Sequence, residues 1–182
     1  MRQTFAVFKR ELGVYFRSPI AYAISFALLL FFGLLFSNAL STANQQQQPA
    51  SGVNFVPNLL TFLMFLVAPL LTMRLFAEEK KMGTMETLFT VPVETWQVVL
   101  AKFSAALLVY GLLWLPSYLN FELIRWITAG QVVVPGGALA GSYLILAFMG
   151  AFNLALGCLA SSLTSNQIIA AVVSFTLSLL HF

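Results

Sequence analysis

From Pro19 to Ser37 the chain reads PIAYAISFALLLFFGLLFS, without one charged side chain. A helix that crosses a bilayer needs about 20 predominantly apolar residues. Comparable runs follow at 56–74, 98–121 and 138–160, and a shorter one closes the chain at 166–182. Only 8% of the residues are charged and 60% are hydrophobic, where a soluble domain carries about 25% charged residues. So few charges cannot clothe a water-facing surface, and so apolar a chain does not stay disordered. The reading is an all-α, polytopic membrane protein. It forms a single transmembrane domain over 1–182, with an N-terminal interfacial amphipathic helix and about five transmembrane helices.

Residues 2–17 place Phe5, Phe8, Leu12, Tyr15 and Phe16 on one helical face, with Arg2, Lys9, Arg10 and Arg17 on the flanks and the far side. A basic helix with an aromatic face lies in the membrane interface. Ser18-Pro19 redirects the chain, because the residue before proline is pushed out of the α region. The run at 19–37 is longer than the about 7–15 residues of a secretory leader's core, so it reads as a retained span. Residues 38–55 are polar, uncharged and rich in Gln and Asn, which makes them a loop. Pro69 is expected to kink the second span, as membrane helices tolerate. Residues 161–167, SSLTSNQ, read as a polar turn. The last segment, counted from Asn166, would reach about 25 Å at about 1.5 Å per residue. A hydrocarbon core measures about 30 Å, so the natural protein is expected to continue beyond it, with a short terminal hairpin as the alternative.

Orientation follows from the basic residues. Of the nine, only Arg125 falls on the side opposite the N-terminus. The positive-inside rule makes the N-terminal side of this multi-pass protein cytoplasmic.

Catalytic chemistry has little to work with. The chain has one cysteine, Cys158, one histidine, His181, and no aspartate. No phosphate-cradling glycine loop and no hydrolase or metalloprotease motif occurs. A net charge of +3, dispersed along the chain, does not mark nucleic-acid binding. No catalytic, cofactor or metal residue is therefore assigned, and the chain is not read as an enzyme. Asn153 is the strongly polar residue deep in a span and is expected to make an interhelical hydrogen bond. Two small-residue patterns, Ala147/Ala151/Ala155 and Gly137/Gly141, have spacing that permits close helix packing or dimerisation.

Residues 74–102, RLFAEEKKMGTMETLFTVPVETWQVVLAK, form the one charge-dense internal stretch. Gly83 breaks the charged run. A short helix is expected over Thr84–Thr90, with Glu86 in its first turn, where the helix dipole favours an acid. Met85, Leu88 and Phe89 form its apolar side, and Pro92 ends it. An ordered amphipathic helix between two spans reads as a docking surface for another protein.

Three segments resemble a known family. The run AEEKKMGTMETLFTVPV at 77–93 is similar to the signature of ABC-2 type transporter permeases. SSLTSNQIIAA at 161–171 resembles the turn between their fourth and fifth spans, and FKRELGVYFRSP at 8–19 resembles their opening helix. The nearest subgroups are gliding-motility-like and copper-enzyme-maturation-like bacterial permeases. The resemblance implies a permease subunit that binds membrane lipid, forms a homodimer or heterodimer, and pairs with a separate cytoplasmic ABC ATPase. ATP and Mg would reside on that partner, with no cofactor in this chain. It also implies that the helix at 84–90 is the coupling helix, with Glu79, Lys80, Gly83, Thr84, Glu86, Leu88, Phe89 and Pro92 as the ATPase-docking residues. Family members have six spans, whereas this chain stops within the fifth. Two other readings stand beside it: a secondary transporter or channel-like protein, and a non-transporting anchor for an ATPase.

Overall fold

The computed structural model describes residues 2–19, interspersed positions between 22 and 38, and the stretches 62–84, 94–127 and 136–180. Among these residues there is helix and turn but no strand. The elements are α1 (Arg2–Arg17), α2 (62–72), α3 (Ala77–Met82), α4 (Thr95–Ile127), α5 (Gly136–Leu163) and α6 (Gln167–Leu180). The described positions between 22 and 38 are helical as well.

Among the described residues two helices are long and apolar enough to cross a membrane, over Thr95–Leu119 and Leu139–Leu163; α6 is apolar but shorter. Both are greasy on the faces they bury and on the faces they expose. On α4, Ala105, Ala106, Val109 and Tyr110 turn inward while Leu108, Leu112, Leu115 and Leu119 point out. A helix apolar all round belongs in a large core or in lipid. The exposed Trp96 and Trp126 (57% and 82% exposed) flank α4 about 45 Å apart along the axis. That separation matches the about 40–45 Å of a bilayer with its headgroup layers, where tryptophan rings collect.

Helix α2 is the central element. Leu63, Met64, Val67, Ala68 and Leu71 are all buried, with Phe62 and Leu66 facing outward. It runs through Pro69 and ends at 72 in a turn over 73–76, short of the span expected to reach residue 74; residues 56–61 lie outside the described part. Helix α4 is longer than the expected 98–121 and continues through Pro116. Next to that proline, Ser117 Oγ lies 2.6 Å from the Trp114 carbonyl and 2.7 Å from Tyr143 Oη on α5.

Helix α5 also overruns its expected end. Ser161–Leu163, read as part of a polar turn, stay helical. Ser162 Oγ bonds back to the Leu159 carbonyl at 2.7 Å, so its hydroxyl does not oppose the helix. The turn contracts to 164–166, where Asn166 caps α6 by accepting the Ile168 N–H through its side chain at 2.9 Å.

Close packing does not fall where the small-residue patterns place it. Ala147 and Ala155 are exposed, and a Cβ added to Gly137 or Gly141 would meet nothing within 4 Å. The close approaches are at Gly150 and Gly157 of α5, two turns apart. A Cβ at Gly150 would stand 2.3 Å from the Tyr110 ring, and one at Gly157 would stand 2.0 Å from Thr72 Oγ1 and 2.9 Å from Ser174 Oγ. Gly157 is thus where α2, α5 and α6 meet. Asn153, between these glycines, is fully buried. Its amide donates to Met149 O of its own helix at 2.8 Å, an intrahelical bond in place of the expected interhelical one, because the i−4 carbonyl is its nearest acceptor.

Candidate functional site

The charged run at 77–82 folds as α3, with Glu78 and Glu79 in the first turn and Lys80 and Lys81 in the last, as the helix dipole favours. Gly83 ends it with φ 67°, a left-handed conformation that costs glycine little. The Thr84 N–H then reaches Glu79 O at 3.1 Å and the Gly83 N–H reaches Lys80 O at 3.3 Å, the paired bonds of a Schellman ending. The start of α3 is capped from far away in sequence. Ser161 Oγ accepts the Phe76 and Ala77 N–H groups, each at 3.1 Å.

Four charged side chains meet beside this helix. Lys102, two turns into α4, is 1% exposed, and Glu11 of α1 is 5% exposed. The Lys102 ammonium lies 3.2 Å from Glu11 Oε1 and 3.0 Å from Glu79 Oε1. It also donates to Leu75 O at 2.8 Å, so the ammonium has two ion-pair partners and one hydrogen-bond acceptor. The Phe76 ring stands 5.4 Å from the nitrogen, within cation–π range. Arg10 closes the group, with Nη2 at 2.7 Å from Glu11 Oε1 and 2.8 Å from Glu79 Oε1. Two cations and two carboxylates balance. Burial alone would lower the Arg10 pKa, but its bonds and charge attraction to Glu11, then Glu79, outweigh that and raise it. Glu79 Oε2 is buried and has no hydrogen-bond partner among the described residues.

Around this cluster lie further ties between the same elements. Arg74 grips Glu78 through two bonds, of 2.7 and 3.0 Å, and donates a third to Ser18 Oγ at 2.7 Å. Tyr15 donates its hydroxyl to Leu71 O at 2.7 Å; burial pushes its phenol above the usual range, so the donor keeps its proton. Lys80 Nζ donates to Ser162 O at the end of α5. The described parts of the three segments that carried the family resemblance, far apart in sequence, therefore converge at one end of the bundle.

Of the residues assigned to docking, Glu79 is turned inward against Lys102 and Arg10. Lys80 is exposed but bonded to α5, Gly83 is the helix terminator, and Thr84 is exposed just beyond it. Glu86, Leu88, Phe89 and Pro92, with the short helix expected over 84–90, lie outside the described residues, as does His181. Sequence reasoning missed Glu11, Lys102 and Ser161 as partners. Two signals were available. Glu11 is the single acid of a basic helix, set among Phe8, Leu12 and Tyr15, and Lys102 is a lone cation with apolar residues on both sides. An ionisable residue inside a span is expensive and marks function by default; the apolar stretch Thr95–Leu119 contains one, Lys102, near its start.

Among the described residues no group of three His, Cys, Asp or Glu is placed to hold a metal. The arrangement is mechanical in character: a short charged helix bonded to three other elements at the rim of a membrane bundle. A family model described as "ABC-2 family transporter protein" matches residues 5–182. No curated protein matches the chain.

Proposed function

The chain belongs to the ABC-2 transporter family, and from that premise we propose that it is the permease subunit of an ATP-driven transporter whose ATPase is a separate cytoplasmic protein. Members of this family are membrane subunits of transporters. In this reading the helical positions between 22 and 38, together with α2, α4, α5 and α6, are five spans, α1 lies in the cytoplasmic interface, and the permease acts as a dimer. Nucleotide and Mg sit on the ATPase. Residues 84–92 are the coupling segment, with Glu86 orienting the docked partner and Leu88 and Phe89 as the apolar anchor. Closure of the ATPase on ATP pushes this segment and biases the spans between two access states. Nucleotide shifts that balance only by its differential affinity for the two states.

The observation that carries the reading is the bonding of 74–84. This segment leads straight into the docking stretch and is tied to α1, α4 and the end of α5. Force applied at 84–92 therefore has a short, polar, directional route to the bundle. Glu86 is the better residue for charge reversal in a coupling assay, because reversing Glu79 would also break its pairs with Lys102 and Arg10. The test is a photo-crosslinking amino acid at Leu88 or Phe89 in cells. The expected product joins the chain to a protein containing a P-loop ATPase domain. Crosslinks to lipid or to extracytoplasmic proteins alone would overturn the reading.

A further inference from the structure

The ammonium of Lys102 binds three acceptors from three different pieces of chain: Glu11 on α1, Glu79 on α3, and the Leu75 carbonyl in the turn between α2 and α3. None of the three partners is on α4 itself. A lysine serving only to anchor α4 at a membrane surface would extend its ammonium into water or headgroups. Lys102 is instead withdrawn from solvent. Its removal would leave two carboxylates 7% and 14% exposed, sharing only the half-exposed Arg10.

We propose that Lys102 is a positioning residue: its ammonium clamps α1 and the 75–84 segment to the base of α4, so that these three elements move as one body. The functional consequence rests on the docking reading of 84–92: a push there is delivered to α1 and α4 at once, while α5 is reached by a separate tie. That second tie runs through Ser161 and Ser162 and does not involve Lys102. The 75–84 segment that leads into the docking stretch is therefore held by two independent fastenings, an ionic one to α1 and α4 and a hydroxyl and carbonyl one to α5. Glu79 belongs to the first and its neighbour Lys80 to the second.

Two label distances separate these fastenings. Spin labels at Lys9 and Met82, both exposed, span α1 to α3; labels at Met82 and Leu163, both exposed, span α3 to the end of α5. The full chain is used, in lipid nanodiscs, with Cys158→Ala so that the labelled positions are unique. In Lys102→Met the 9–82 distance distribution is expected roughly to double in width, since carboxylates left without their buried partner separate. The 82–163 distribution is expected to stay as it was. Lys102→Arg, which keeps the charge and can reach the same acceptors, restores the narrow 9–82 distribution. Glu11→Gln supplies a second variant should Lys102→Met fail to insert, and it broadens 9–82 to a smaller degree. A 9–82 distance unchanged in Met and Gln variants alike overturns the proposal. Broadening of both distances together assigns Lys102 to general stability and also overturns it. So does a Lys102→Arg protein as loose as Lys102→Met. No ATPase is present in this measurement, so its outcome is independent of the crosslinking result.

Discussion

The rim of the bundle and its middle are held together by opposite means. At the rim, α1, α3 and α4 are joined by charges, Lys102 and Arg10 each paired with both Glu11 and Glu79. In the middle, α2, α4, α5 and α6 are joined by the absence of side chains, at Gly150 and Gly157. The difference follows from the solvent on each side. Near water, charged groups bring directional bonds that define one arrangement. Between helices in lipid there is no hydrophobic drive to associate, so close approach of backbones supplies the attraction through van der Waals contact. Under the proposed function, a permease switching between two access states gains from the division. The rim keeps its elements in register, and the middle consists of surfaces that separate without leaving a buried charge behind.

The comparison is broken most severely at the rim. Lys102→Met strips both carboxylates of their buried partner, a change that costs about 3–5 kcal/mol when one member of such a pair is removed. Thermal unfolding in detergent, followed by tryptophan fluorescence, should show the largest drop in Tm for this variant. A drop no greater than that of an exposed lysine such as Lys81→Met would mean that the cluster contributes little.

Within the middle, the two glycines should differ. Gly157→Ala drives a Cβ into Thr72, whose short side chain has its own Oγ1 bonded to Ala68 O at 2.8 Å. Overpacking of this kind costs about 1–3 kcal/mol, and Gly157→Ala belongs at the upper end. Gly150→Ala meets the far end of Tyr110, which can swing aside at the loss of its bond to Leu146 O, worth about 1 kcal/mol. The ratio of the two is read from the same unfolding curves, and a larger effect at Gly150 would show that α2 is less rigidly seated than its burial indicates.

Much of the fold was legible because it is written in local pattern. The bounds of α1, the apolar runs of α4 and α5, and the Gly83 break each depend on residues within a few turns of one another. The ion cluster was not legible, because Glu11, Glu79 and Lys102 come together only through tertiary packing, and each alone looks like a flanking charge. Lys102 in particular reads as a span-end anchor until its acceptors are seen to come from other segments. The glycine contacts failed for another reason. Spacing identifies which small residues share a helix face but not which face meets a neighbour. Ala147, Ala151 and Ala155 satisfy the pattern, and the face they share is largely turned outward.

That failure yields the smallest and sharpest prediction. Gly141 satisfies the same spacing rule with Gly137 yet meets nothing among the described residues, so it has no packing role against them. With nothing to collide with, Gly141→Ala should follow helix propensity alone, which favours alanine by up to about 1 kcal/mol in an interior helical position. Tm should stay level or rise slightly for the monomeric chain in detergent. A clear fall would place a second surface against Gly141, and since no described residue approaches it, that surface would come from the rest of the chain or from another molecule. Repeating the measurement at several protein concentrations decides the matter: a loss confined to high concentration belongs to an interface between copies, and a loss independent of concentration belongs to the rest of the chain.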